Sequence, residues 1–523
     1  CSSIRSLERG EEIHAEVRKR GLLEQNIVLG NALVDMYSKC GAIQKAQEVF
    51  DKLPKHDIVS WNSLVAGYAE HGTTDETLSC FFKMKSAGFS PDAVTFICLL
   101  KVCGSIGYLK MGEAIHTEIH KKGLIKSNIV LGTALIDMYT KCKVLDKAQE
   151  VFNELSCRNV LSWNALISGY AQHGLGDEAL KYYKQMQDEG YSPDVVTFIC
   201  VLKACCSIGF LEIGEEIHAK VNMEGLLQKD VVLGTALVDM YFKCGALEKA
   251  HESFEELPIR NVVTWSALIA GYVQHGLGDE ALKCYMQMQD AGVCPNLVTY
   301  MCVLSACGIV GSLEVGKDID AEVQKNGLLQ KDILLGNALV DMYSKCGALE
   351  KAQQVFQQLP VRNVVTWSAL IAGYAQLGKA NIVLNLYRRM REKGIAPDSV
   401  TFTVLFTACS HAGLVKEGEK LFNEMCIFYY LTPMLEHYMC MIDLFGRAGH
   451  FDKVNDFLDK VSPSDRLSLL VTLLGACKKW TNVKLGRWVF EESLQLDENC
   501  IAAYVSMENI CATASKQTEA PGI

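Results

Sequence analysis

Apolar residues along this chain recur at helical spacing in short runs, each closed by glycine or proline. Leu268, Ile269 and Tyr272, then Ala281, Leu282, Tyr285 and Met286, fall three or four positions apart or adjacent, the pattern of one face of an α-helix. The spacing predicts a helix from about Trp265 to Gln274, closed by His275-Gly276, because glycine just past the last turn ends a helix well. A second helix is expected from Asp279-Glu280, acids suited to a helix N-terminus, to Met288, with Ala291-Gly292 and Pro295 ending it. No segment sustains the period-two alternation of a strand. The uncharged stretch from Ala291 to Leu313 raises the question of a membrane span. Pro295, Asn296, Gly308 and Gly311 within it instead predict a turn followed by a buried helix.

The pattern itself repeats. Asn31-Ala-Leu-Val-Asp-Met-Tyr-Ser-Lys-Cys-Gly41 returns unchanged from Asn337 to Gly347, with close copies at Thr133 and Thr235, each 102 residues from the next. Trp61, Trp163, Trp265 and Trp367 keep that period, as do Pro91, Pro193, Pro295 and Pro397. Each unit divides into sub-repeats of 35, 36 and 31 residues, starting for example at Ile58, Ala93 and Ile129, and each sub-repeat reads as two helices. A pair this small cannot bury its own apolar face, so neighbours must stack. The expected fold is all-α, a superhelical α-solenoid of stacked helix-turn-helix repeats.

Of 523 residues, 49% are apolar and 21% charged, which excludes disorder. The net charge of −10 excludes a basic tail or a polybasic membrane patch, so any nucleic-acid contact must use local positive spots. The 22 cysteines follow the repeat: Cys40, Cys142, Cys244 and Cys346; Cys98, Cys200 and Cys302; Cys103, Cys205, Cys307 and Cys409. They sit among apolar neighbours with no CxxC pair, and are read as small packing residues rather than disulfides or zinc ligands. With no signal peptide, the expectation is a reduced, soluble, intracellular protein. Cys1 falls inside a pattern already under way, as in a fragment.

Helix pairs of 35, 36 and 31 residues in strict rotation resemble the pentatricopeptide repeats of the plant PLS class, over essentially the whole chain. P-type repeats start at Ile58, Val160, Val262 and Val364, with phrases such as Val-Val-Thr-Trp-Ser-Ala-Leu-Ile-Ala-Gly-Tyr. L-type repeats start at Ala93, Val195, Leu297 and Ser399, and S-type repeats at Ile27, Ile129, Val231, Ile333 and Leu435. Residues 1–26, with Gly10-Glu-Glu-Ile-His14, resemble the tail of a partial L repeat, and 27–466 form the array. Leu473-Leu-Gly-Ala-Cys477, Asn482-Val-Lys-Leu-Gly486 and Leu494-Gln-Leu-Asp497 look like an E-type extension over 467–512, truncated and without a DYW deaminase domain. Residues 513–523 form an unassigned tail. The resemblance implies a right-handed superhelix in a mitochondrion or chloroplast, with the targeting peptide upstream of Cys1.

It also implies a code in which one repeat reads one RNA base through its fifth and last residues. Before the final S repeat, the fifth positions of P and S repeats hold only Asn, Ser or Thr in otherwise apolar helices. Their last positions hold only Asn or Asp, where a solvated face would also carry Lys, Glu and Gln. By the family's pairings, Asn31 with Asp57, Asn62 with Asp92, and Asn164 with Asp194 each imply U. Thr133 with Asn159, Thr235 with Asn261, and Ser266 with Asn296 imply A; Asn337 with Asn363 implies C and Ser368 with Asp398 implies G. Ile97, Ile199 and Met301 in L repeats cannot donate or accept, and Thr403, Met434 and Met439 are left open. The implied target is single-stranded 5′-UUNAUNAANCG-3′ RNA. Lys39, Lys141, Lys243, Lys345 and Arg447, eight residues after each S-repeat reading position, are expected to meet phosphates; favouring the helix dipole is the alternative. Val59, Leu161, Val263 and Val365 resemble the family's base-sandwiching residues, with ordinary packing as the alternative, and the tryptophans are read as core.

His14-Ala-Glu16 and His116-Thr-Glu118 resemble the His-x-Glu of zinc deaminases, but belong to the repeated Gly-Glu-Glu-Ile-His phrase and are followed by no Pro-Cys-x-x-Cys. No P-loop, dinucleotide turn or nucleophile elbow occurs. The chain is read as a non-enzyme without cofactor or metal. The expected function is sequence-specific single-stranded RNA binding for organellar C-to-U editing. A deaminase or editing protein would be recruited through the E-type extension by a monomeric protein. The alternatives are a protein- or peptide-binding scaffold and an RNA stabilisation or splicing factor.

Overall fold

A computed structural model describes residues 7–23, 26–126, 128–461, 463–479, 483–497 and 499–518. Every regular element among them is helical, as the missing strand pattern requires. The chain forms two compact units, residues 1–268 and 269–523, with the boundary inside helix Val262–Gln274.

Helices begin at Ile27, Ile58, Ala93, Ile129, Val160, Val195, Val231, Val262, Leu297, Ile333, Val364, Ser399 and Leu435, the positions expected as repeat starts. A second helix follows each, as in Ile58–His71 with Thr74–Ser86. Within each unit the first helix of one repeat packs on the first helix of the next, Ala93–Ile106 against Ile129–Lys141 for example, and on its own partner. Layers of leucine, valine, methionine and aromatic side chains are buried between them. The tryptophan column is core: Trp163 is fully buried and stands edge-on to Phe152 at 4.6 Å, and Trp61 and Phe50 repeat the contact at 4.7 Å.

Helix Val262–Gln274 starts three residues before Trp265, because Asn261 accepts the backbone N–H groups of Val263 and Thr264 at 2.9 and 3.1 Å and so caps the earlier turn. Its partner runs Gly278–Asp290, a residue longer at the start and two at the end than expected. Gly276 takes φ +73°, the left-handed conformation that glycine enters without strain. At Gly169 the issue is space: an added Cβ would stand 2.3 Å from Cγ2 of Thr140 on the preceding first helix.

The boundary expected at 466/467 falls inside helix Pro463–Lys479, so the array and the extension are not separated there. Nor does the last helix stop at Ala512; Ile501–Thr518 continues into the segment read as a tail. Residues 519–523 lie outside the described residues, as do 1–6 of the partial first repeat. Among the described residues no helix is long and apolar enough to cross a membrane.

Candidate nucleic-acid interface

The last residue of each repeat is the N-cap of the next first helix. Asp57, Asp92, Asn159, Asp194, Asn296, Asn363 and Asp398 each accept the backbone N–H three residues on, from Ser or Thr, whose hydroxyl accepts the cap's own N–H. This is a capping box built with Ser or Thr in place of Glu. Asn26, Asn128, Asp230 and Asp332, which precede S repeats, cap as well. The restriction to Asn and Asp is therefore what a cap requires, since these residues satisfy helix-terminal donors best. The signal, Asn or Asp three before Ser or Thr, stands in the sequence and was read there only as recognition.

The asparagines among the fifth residues meet these caps across the repeat. Asn31, Asn62, Asn164, Asn337, Ser266 and Ser368 are buried, Thr133 and Thr235 half-buried. Asn31 donates to Asp57 at 3.1 Å, Asn62 to both oxygens of Asp92, Asn164 to Asp194 at 2.9 Å and Asn337 to Asn363 at 3.4 Å. Asn62, Asn164 and Asn337 accept from Thr95, Thr197 and Thr366, each at 2.6 Å, which fixes their amides with the oxygen inward. At Asn31 the corresponding Ser60 gives its hydroxyl to Asp57, and the Asn31 oxygen is buried without a partner. Thr133, Thr235 and Ser266 turn their hydroxyls back to the carbonyls of Ile129, Val231 and Val262. Ser368 shares a hydrogen bond with Thr401, itself held by Asp398.

Burial pushes the Asp57 carboxyl up, but hydrogen bonds from Ser60 and Asn31 outweigh it and hold the group below its ordinary range. At Asp194, burial is likewise outweighed by Thr197 and Asn164. Both stay ionised, with the hydrogen bonds gathered on one oxygen and the second available.

Beside these pairs lie open cavities. One of about 330 Å³ in the first unit is lined by Thr235 and Asn261 with Val232 and Val263; one of about 400 Å³ in the second by Asn337, Ser368 and Asp398 with Val365 and Val400. The second-position residues are not packed: Val59, Leu161, Val263 and Val365 are each more than half exposed, and so are Val130 and Val232. Apolar side chains standing in solvent at one position of successive repeats form a row of walls, and polar pairs lie between them.

The basic column is ion-paired along its own helices. Lys39, Lys141, Lys243, Lys345 and Arg447 each pair with the aspartate four residues earlier, Asp35, Asp137, Asp239, Asp341 and Asp443, at 2.7–3.3 Å. Eight residues carry a helix about 80° past two full turns, so it is the aspartates Asp239 and Asp341, four residues on, that line the cavities.

The His-x-Glu motifs resolve into packing. His14, His116 and His218 bond the hydroxyls of Tyr37, Tyr139 and Tyr241 on the next first helix at 2.8–2.9 Å, and Asp320 takes the same place against Tyr343. No group of three His, Cys, Asp or Glu among the described residues could hold a metal. The described cysteines are free thiols; burial pushes Cys205, Cys307 and Cys409 up to about 12. Cys142, Cys244 and Cys346 cap helix ends, half-buried, with sulfur against the carbonyls of Cys103, Cys205 and Cys307.

The PPR repeat family is matched over residues 56–105, 158–207, 260–308 and 362–411, and the PPR repeat over 31–58, 133–160, 235–262, 337–364, 400–427 and 436–461. The pentatricopeptide repeat-containing protein At1g15510, chloroplastic, of Arabidopsis thaliana is 33% identical over 99% of this chain, which spans 59% of that protein. The putative pentatricopeptide repeat-containing protein At3g25060, mitochondrial, of the same plant is 33% identical over 97% of this chain and 84% of its own length. Among solved structures, the pentatricopeptide repeat protein PPR10 from maize matches 93% of this chain and 82% of its own, with TM-score 0.54 and 19% identity, and so shares the solenoid fold. By its repeats, its helical stack and its relatives, this chain belongs to the pentatricopeptide repeat family.

Proposed function

We propose that this chain binds single-stranded RNA in a sequence-specific manner, one base to each P or S repeat. The observation that carries the reading is the recurring polar pair between exposed second-position apolar side chains: Asn31, Asn62, Asn164 and Asn337 bond a capping Asp or Asn, while Thr235 with Asn261 and Ser368 with Asp398 line shared cavities. A flat base fits between two such walls, and its edge meets the pair. An Asn–Asp pair offers an amide N–H and a carboxylate oxygen, complementary to the carbonyl and N3–H of uracil. The Asn337–Asn363 pair offers donors for the acceptors of cytosine, and Ser368 with Asp398 offers an acceptor for the donors of guanine. Thr or Ser with Asn suits adenine, which presents both. The site residues are therefore those read from the sequence, and the target is 5′-UUNAUNAANCG-3′ with the N-terminus toward the 5′ end. Lys39, Lys141, Lys243, Lys345 and Arg447 reach the phosphates in this reading while paired with aspartates, so they add little net charge.

The PLS rotation and the three helices after 462 support a role in organellar C-to-U editing, with an E-type extension engaging a deaminase supplied elsewhere. Relatives named for chloroplast and mitochondrion support an organellar site of action. Binding of a fluorescent 5′-UUNAUNAANCG-3′ RNA against a permuted control tests the code. A preference of about tenfold or more is expected, one bidentate contact being worth about 1–3 kcal/mol. Asn164→Thr should lose it and regain it when the paired U becomes G. Equal weak binding to both RNAs would favour the protein-binding scaffold.

A further inference from the structure

The ion pairing of the S-repeat column leaves a question of charge. An RNA strand brings one negative charge per nucleotide, yet each Lys39-type cation is accompanied by its own aspartate. Two lysines differ. Lys101 and Lys203, at the ninth position of the first two full L repeats, are exposed and form no ion pair with the described residues. Each lies four residues after the L-repeat fifth position, Ile97 or Ile199, and so on the same helix face. Lys203 lines the 330 Å³ cavity that holds Thr235, Asn261, Val232 and Val263, where Asp239, the acid across the cavity, is already bound to Lys243 at 2.9 Å. In the second unit the same position holds Ser305 and Thr407, and the cavity around Asn337 and Ser368 has no basic residue in its lining.

We infer that Lys101 and Lys203 are phosphate-binding residues, making the L repeats of the first unit clamps on the RNA backbone where their apolar fifth residues read no base. This rests on the RNA-binding reading above. A flexible ammonium in an open cavity contacts phosphate as a point charge, without regard to sequence. Salt-dependent affinity is then concentrated on the 5′ part of the target, over the first unit, and the second unit contributes base discrimination with little counterion release.

The test uses the full chain with the fluorescent 5′-UUNAUNAANCG-3′ RNA and its permuted control, titrated at several salt concentrations. Lys101→Ser with Lys203→Ser should weaken binding of both RNAs alike. It should make the slope of log affinity against log salt shallower by about 1.4, roughly 0.7 for each lost contact on a single strand. Ser305→Lys should steepen the slope by about 0.7, a gain that no folding defect can imitate. Lys181→Ser, at an exposed position of the second helix Gly176–Asp188, should change neither. An unchanged slope with discrimination retained would overturn the clamp and leave the code standing. Lost discrimination at unchanged slope would assign the lysines to base contacts and also overturn it. If the unaltered chain binds neither RNA even at low salt, the RNA reading itself fails, and the clamp with it.

Discussion

Asn62 donates its side-chain amide to both carboxylate oxygens of Asp92, at 3.0 and 2.9 Å, across thirty residues of chain. Asp92 simultaneously caps helix Ala93–Ile106 by accepting the N–H of Thr95. In the proposed reading one side chain thus serves both stability and recognition, and the two can be separated. Asp92→Asn keeps an acceptor at the cap and should cost under about 0.5 kcal/mol, while moving the preferred base at that nucleotide from U to C. Asp92→Ala should cost about 0.5–2 kcal/mol and lose preference altogether. Urea unfolding beside binding to the two RNA variants gives both readouts.

Val263 is 54% exposed although apolar, and it lines the cavity beside Thr235 and Asn261. Val263→Asp changes a side chain more than half exposed in the first turn of its helix, where an acid suits the dipole, so stability should stay within about 0.5 kcal/mol of the parent. Affinity should fall sharply, because a carboxylate replaces a wall against the base and repels phosphate. Loss of stability comparable to a core substitution would show instead that the valine packs.

Gly169 sits where an added Cβ meets Thr140 Cγ2 at 2.3 Å, and Thr140 is buried. Gly169→Ala should therefore destabilise by about 1–3 kcal/mol through overpacking. Adding Thr140→Ala removes the 2.3 Å contact but leaves a Cβ 2.7 Å away, so the double variant should recover part of the loss and be more stable than the sum of the two single effects allows. A double-mutant cycle by chemical denaturation measures the coupling; strict additivity would refute the contact.

Burial holds His116 below its ordinary pKa against the opposing pull of Glu154, and its Nδ1 shares a hydrogen bond with the Tyr139 hydroxyl. Folding then favours the neutral ring. Its contribution is complete above the unfolded pKa of about 6.5 and is lost as pH falls below that value. His14 is shifted the same way, burial again leading. The thermal midpoint should drop between about pH 7.5 and pH 5.5. His116→Asp, which copies the Asp320–Tyr343 contact, should show a smaller drop over that interval.

What the sequence determined by itself is whatever depends on neighbours within a few turns. Repeat starts from Ile27 to Leu435, helix pairs ended by residues such as Gly276, and buried tryptophans follow from apolar period, caps and glycine, all local forces that recur every 102 residues. The polar fifth and last positions stand out in the sequence too, though the cap at Asp57 or Asp194 shows that the restriction to Asn and Asp has a structural cause. Only the stacking of repeats decided which of these residues meet. It brought Asn164 to Asp194 and left Val263 in solvent. It also set Asp239, rather than Lys243, in the cavity with Lys203. The charges in a column can be counted along the chain, but their pairing depends on helix rotation and on the neighbouring repeat. A helix turns by 100° per residue, so the lysines, eight positions past the fifth residues, stand about 80° round the helix from them and beside their aspartates.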